Sequence, residues 1–283
     1  MANAMSARTF FFLLSLSLQF YSSNAVDYSW CPDTVCKDAG DCRPCDQRFL
    51  FIIAQGRSGS TTLKNMVNML PGVRLNGEMG DVISKMQDLY SYIYTHKDLE
   101  RGSGNMKGPW GHNPYNNELS CAAQKVIQAL NPPPNVGDAS KASHILGFKE
   151  IRVADLKGLK YLYTHFPCSR FVFNIRSEGE ALQRSQELYL QDEKLYRNSR
   201  AIPRLYTVMK NLLGKERVYL MDMALWKDEE TGSEYFNALG KWLGFENCTF
   251  PKVLHDNAVV NNKWVTDEER FKFDSSCYYK GSK

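Results

Sequence analysis

The chain has 283 residues, enough for one α/β domain with a full core or for two small domains. At 43% hydrophobic and 23% charged it is ordinary globular material, which excludes a largely disordered or collagen-like chain. The net charge of +4 is too mild to argue for nucleic acid as a partner, but it leaves room for a local basic pocket that holds an anion.

Residues 1–25 read as a secretory signal. Arg8 supplies a positive start, Phe10 to Phe20 form an apolar run, and Ser23-Asn24-Ala25 offers a small-residue cleavage site. A short uncleaved anchor is the alternative, although the run falls below the ~20 residues of a comfortable span. The rest is expected in the secretory pathway, in the Golgi lumen or secreted, with membrane contact only if the segment stays. All eight cysteines lie beyond it, and an even number suits a disulfide framework. Four of them, Cys31, Cys36, Cys42 and Cys45, crowd into residues 26–47, which read as a stapled stem before the main domain of 48–283. Cys42-Arg-Pro-Cys45 also fits a redox or zinc pair, but no second Cys-x-x-Cys or His pair completes a zinc site. Asn247-Cys248-Thr249 is a glycosylation sequon.

Strand-like and helical patterns then alternate. Arg48 to Gln55 is a buried-strand run, Thr61 to Leu70 is helical, and Val73 to Asn76 is a short strand. Ile83 to His96 reads as a helix that buries tyrosines, 101–117 as a loop, and Glu118 to Leu130 as a helix stopped by Pro132 to Pro134. His144 to Ile151 and Arg170 to Ile175 are strands with a helix between them. Two helices follow, then the strand Val218 to Met223 and the helix Ser233 to Leu243; beyond 250 the periodicity is weak. This alternation predicts an α/β fold, a central parallel sheet between two helical layers. Ligands of such sheets sit beyond the carboxyl ends of the strands.

The most informative segment is Gly56-Arg57-Ser58-Gly59-Ser60-Thr61-Thr62-Leu63, between a strand and a helix. Small residues let backbone N–H groups turn inward as an anion cradle, and the helix start adds partial positive charge. Arg57 adds a full charge and a fork of donors. No Gly-Lys-Ser/Thr string occurs, so this is not a nucleotide triphosphate loop of the usual kind. The segment resembles the loop of the sulfotransferase superfamily, in the version of its carbohydrate and tyrosylprotein members. The resemblance extends over about 48–245 in element order. It implies a three-layer fold like that of the P-loop NTPases. It also implies that Arg57, Ser58, Gly59, Ser60, Thr61 and Thr62 hold the 5′-phosphosulfate of 3′-phosphoadenosine 5′-phosphosulfate (PAPS).

The same resemblance assigns the rest of the site. The family pairs a strand-end Arg with a helical Ser for the 3′-phosphate; here these are Arg176 and Ser185, with Arg184 as a substitute at the usual spacing of eight. Its Gly-Glu after the second strand matches Gly77-Glu78, which implies Glu78 as the base that takes the acceptor proton. Lys149, closing Gly147-Phe148-Lys149, is either a sulfate or acceptor ligand or a solvent-facing lysine. The family's C-terminal Arg-Lys-Gly loop has no good match, only Lys263-Trp264 and Lys280-Gly281. No metal-ligand cluster is visible, and no metal is expected. The implied acceptor is a glycan, a glycolipid or a protein tyrosine. A nucleotide-dependent phosphotransferase and a non-catalytic luminal binding protein remain as alternatives.

Overall fold

A computed structural model describes residues 30–31, 44–45, 47–96, 116–131, 145–153, 155–177, 193–228, 231–254, 273 and 276–280. Five parallel strands form the central sheet: β1 (Arg48–Ala54), β2 (Val73–Asn76), β3 (Ile145–Glu150), β4 (Ser169–Ile175) and β5 (Val218–Asp222). Their order across the sheet is β2-β3-β1-β4-β5. The helices are α1 (Ser60–Val67), α2 (Val82–His96), α3 (Asn116–Leu130), α4 (Leu156–His165), α5 (Glu193–Leu213), α6 (Met223–Trp226) and α7 (Ser233–Leu243). The expected α/β architecture with a parallel sheet is therefore observed.

β1 explains the layering. RFLFIIA is apolar almost throughout, as a strand covered on both faces must be. Side chains alternate across a strand. Leu50, Ile52 and Ala54 enter one core with Leu63, Met66 and Val67 of α1 and Phe236, Leu239 and Leu243 of α7. Phe49, Phe51 and Ile53 enter the other, with Ile83 of α2, Ala123 and Ile127 of α3, Leu159 and Leu162 of α4 and Ile202 and Met209 of α5. So β1 lies at the middle of a three-layer sandwich, and α1 leaves it toward one face while the helix after β3 covers the other.

Differences from the sequence reading are local. The last strand ends at Asp222, because its carboxylate accepts from the Ala224 N–H at 3.0 Å and starts the one-turn helix α6. A small antiparallel pair, β6 (Phe245–Glu246) with β7 (Tyr278–Tyr279), is too short to have shown a period. Of the two helices expected between Ile175 and Val218, α5 is described; residues 178–192 lie outside the described set, as do 97–115 and the segment 1–29.

Stem residues dock at the amino end of β4. Cys31 is bonded to Cys168, immediately before that strand, and Trp30 lies 4.3 Å from the Arg170 guanidinium. The Gln124 amide donates to both Pro44 O (2.8 Å) and His165 O (3.0 Å), tying the stem to α3 and α4. Cys45 and Cys121 are disulfide-bonded too, and Cys248 joins Cys277. The sulfurs of Cys31, Cys45 and Cys168 lie within 4.8 Å of one another, but all three are in disulfides, so they offer no thiolate to a metal. Asn247 of the sequon is exposed beside the second of these bonds.

The Cys31–Cys168 bond closes a sequence separation of 137 residues at the strand end opposite the candidate site. Replacing both cysteines with serine is expected to cost about 2–4 kcal/mol of stability. Denaturant unfolding measures the loss, and the Arg176 end of the sheet should be undisturbed, because β4 separates it from the bond by about 20 Å of strand.

Candidate active site

The β1–α1 loop sits at the carboxyl edge of the sheet, at the middle strand. Arg57 takes φ 62° and Gly59 φ 70°, so the chain turns through two left-handed residues between strand and helix. Left-handed residues are what a backbone anion nest is built from; the Ser58 N–H between them bonds Gln55 O at 3.4 Å inside the turn. Gly59 is the N-cap of α1 and has no side chain to bond the first turn, and no acidic residue lies in that turn. The first turn itself therefore sets no carboxylate at the positive end of the helix. Arg57 is exposed at the rim, whereas Ser58 is fully buried beneath it.

Ser58 is part of the scaffold. Its hydroxyl donates to Gln55 O at 2.7 Å. The amide of Asn174, on β4, donates to Ser58 O at 2.7 Å and to Ser58 Oγ at 2.9 Å. Asn174 is wholly buried, directly after the apolar run Phe171-Val172-Phe173. A buried polar amide is normally bonded; its NH₂ group is, and clamps the loop, while its Oδ1 has no partner among the described residues.

Arg176 follows directly after β4. Its N–H donates to Gln55 Oε1 at 2.8 Å, and its guanidinium lies 3.4 Å from Arg57 O. The two segments predicted to hold the two ends of one bisphosphorylated ligand thus lie side by side, 119 residues apart in sequence. Ser177 donates through both N–H and hydroxyl to the Asp222 carboxylate, which fixes the β4 exit against β5 and α6. Ser185 and Arg184 lie outside the described residues, as do Lys263 and Trp264. Lys280 stands at the β6–β7 pair, 4.0 Å from Glu246.

Across the sheet edge, Glu78 follows β2. α1 is locked to β2 by its C-cap: Asn68 donates to Leu75 O at 2.8 Å and accepts from Leu75 N at 2.7 Å. β3 lies between β2 and β1, and this order brings Lys149 to Glu78. Lys149 Nζ donates to Glu78 Oε1 at 2.7 Å, and Arg152 donates to Oε2 at 2.8 Å. Burial pushes the Glu78 carboxyl up, but Lys149 and then Arg152 outweigh it, and the net effect is below the ordinary carboxylate value. Lys149 is itself buried, so it is a partner of Glu78 and not a solvent-facing lysine. The arrangement is a carboxylate, ionised at neutral pH, held between two cations at the edge that also carries the Arg57 loop.

Of the histidines, His165 is buried, with Nδ1 3.0 Å from the Ser120 hydroxyl, and burial lowers its pKa to about 4. It stays neutral and structural. Tyr90 is buried against Tyr161 and Tyr92 is exposed, so α2 hides its tyrosines only in part.

No known family model matches the chain, and no curated protein matches it. Solved structures resemble it in outline. The sulfotransferase domain of the Synechococcus PCC 7002 olefin synthase aligns with a TM-score of 0.43 and 18% identity, over 70% of this chain and 73% of that one. Sulfotransferase STF9 from Mycobacterium avium aligns at 0.35 and 14%, over 69% of this chain and 63% of the other. An unliganded sugar kinase from Janibacter sp. HTCC2649 aligns at 0.37 and 14%, over 70% and 94%.

Four residues that shape the candidate site escaped the sequence reading. Gln55 and Asn174 hold the loop, Arg152 grips Glu78, and Glu150 is buried beneath them. The legible signal was polarity in the wrong place. Asn174 and Glu150 each end or interrupt a strand that is buried throughout.

Proposed function

We propose that the protein is a PAPS-dependent sulfotransferase of the secretory pathway, acting on a hydroxyl of a glycan or glycolipid. The observation that carries the reading is the contact of Arg176 with Gln55 and Arg57, which joins a strand-end arginine to the anion loop. One ligand with phosphate at both ends of a ribose fits two such sites; a single phosphate needs one. The loop fits the donor in charge and in backbone curvature, with no acidic group in the first turn of α1.

When bound, the donor supplies a sulfuryl group to the acceptor oxygen as the sulfur–oxygen bond to the 5′-phosphate breaks. Glu78 takes the acceptor proton. Arg57 and the N–H groups of Gly59 to Thr62 meet the charge that grows on the departing phosphate. Arg176 holds the 3′-phosphate, with Ser185 assigned beside it by the family resemblance. Lys149 keeps Glu78 ionised and stands where the transferred group passes. A phosphotransferase reading lacks the loop lysine that grips triphosphates.

The test is heat unfolding of the oxidised protein with 3′,5′-bisphosphoadenosine and, separately, 5′-AMP. A ligand that binds only the folded state raises its stability, by about 2.7 kcal/mol at a hundredfold excess over Kd. A clear shift with the bisphosphate and little with 5′-AMP is expected. Equal shifts would remove the 3′-phosphate site, and a larger shift with ATP and Mg²⁺ would revive the phosphotransferase reading. A bisphosphate shift without turnover across sugar, lipid and tyrosine acceptors would mark a binding protein.

A further inference from the structure

Glu150 is the last residue of β3 and is fully buried. Its carboxylate joins two segments. Oε2 accepts the Met79 N–H at 3.1 Å, immediately after Glu78. Oε1 accepts the Ile151 N–H at 2.9 Å and the Arg152 N–H at 3.0 Å, and lies 3.6 Å from the Arg152 guanidinium. A buried carboxylate carries a desolvation penalty of several kcal/mol unless hydrogen bonds and a counter-charge offset it. Here three backbone donors and one guanidinium offset part of it, and burial still holds the Glu150 carboxyl above the ordinary carboxylate value. The Met79 N–H belongs to the backbone that carries Glu78, and the Arg152 N–H and guanidinium belong to the residue that grips it.

We propose that Glu150 is the positioning residue of Glu78: it fixes the Glu78 loop against the Arg152 turn, so that the base stays between Lys149 and Arg152. The proposal rests on the base assignment made above. The geometry is selective. Lys149 and Arg152 come from the β3 end, and Glu78 comes from the β2 end. The two ends diverge into different connections, and the described contacts that hold them together here are the two Glu78 ion pairs and the Glu150–Met79 bond. Glu78 is 30% accessible in both pairs; Arg152 is 39% accessible, whereas Lys149 is buried at 8%. Exposed pairs hold geometry poorly. The Glu150–Met79 bond adds a tie whose acceptor is fully buried.

Glu150→Gln keeps the shape and removes the pattern. Glutamine has one acceptor oxygen, and its NH₂ group must face either the Met79 N–H or the two N–H groups of the turn. Glu150→Asp keeps the charge and can still cap the turn, but is one methylene short of Met79, which makes it the safer variant for folding. The charged groups around Glu78 are Lys149 and Arg152, with Glu150 behind them and Asp81 beside Arg152. Loosening the loop weakens the two ion pairs that hold the Glu78 pKa below the ordinary carboxylate value, so that pKa should rise.

The experiment follows the Glu78 carboxyl by carbon NMR in glutamate-labelled protein, assigned with Glu78→Gln. In both Glu150 variants its titration should move up, toward the ordinary carboxylate range. With an accepted acceptor, kcat should fall about 10–100-fold, as misplacement near the chemistry does, and the stabilisation by 3′,5′-bisphosphoadenosine should be unchanged. Glu78→Gln/Glu150→Gln should be no slower than Glu78→Gln alone. An unmoved Glu78 titration in both variants overturns the proposal, as does a Glu150 variant with lowered thermal stability and full kcat. If the wild-type protein neither binds the bisphosphate nor transfers sulfate, while the Glu78 titration still moves with Glu150, the sulfotransferase reading falls and the positioning role stands.

Discussion

Glu78→Gln is expected to lower sulfuryl transfer by about 10²–10⁴-fold, the usual worth of a positioned general base. The amide can still accept from Lys149 or Arg152, so the fold and the donor site should survive. Unchanged stabilisation by 3′,5′-bisphosphoadenosine checks this. The pH profile gives a second reading. A base must be ionised, and Glu78 is ionised down to a pKa below the ordinary carboxylate value, because Lys149 and Arg152 outweigh the effect of its burial. Activity should therefore persist through the mildly acidic range and fall only as pH drops through that lowered pKa. Stability linked to this group has the same sign: it is present above the unfolded pKa and is lost as pH falls through the folded one. In Glu78→Gln the acid limb due to this group should vanish. Full activity in the variant would remove the assignment.

The loop could be read from sequence because its parts are adjacent in the chain. A strand, a Gly and hydroxyl turn and a helix within about fifteen residues define a local object, and β1 and α1 frame it within two residues of the expected ends. Arg176 could be read for the same reason, as the residue closing an apolar strand. The partners of Glu78 could not. Lys149 and Arg152 reach it from 71 and 74 residues away. They do so because β3 inserts between β1 and β2, and chain order does not give sheet order. A lysine at the end of a strand reads equally as solvent-facing until its neighbour strand is known. Glu150 and Asn174 teach a more general lesson. Both are polar groups in strands buried along their length. Such groups are tolerated only where they are bonded, so each marks a place where the fold needs a donor or acceptor at a fixed point. In this chain both points lie at the carboxyl edge, one under the anion loop and one under the base.

Gly59→Val should be the most damaging single change in the loop. Glycine alone adopts φ 70° there without strain. A Cβ would also stand 2.6 Å from Trp226 Cη2 and 3.0 Å from Met223 Sδ. The methionine can move, but Trp226 is fully buried, edge-on to Phe236 at 5.4 Å between ring centres. Pushing it shifts α6, whose N-cap Asp222 also holds Ser177, next to Arg176. A side chain at this point of the loop therefore disturbs both candidate phosphate sites. Left-handed strain and overpacking together predict a loss of about 2–5 kcal/mol. Nucleotide stabilisation by the bisphosphate should disappear in whatever protein still folds. Gly240→Ala supplies the contrast. It lies within α7, and its Cβ would meet Phe250 at 3.8 Å, an ordinary contact. Replacing a helical glycine by alanine there should stabilise by about 0.5–1 kcal/mol and leave bisphosphate binding intact. Denaturant unfolding with and without the bisphosphate measures all four quantities. Wild-type stability and binding in Gly59→Val would mean that the loop does not turn through Gly59 in this way, and the anion cradle would lose its geometric basis.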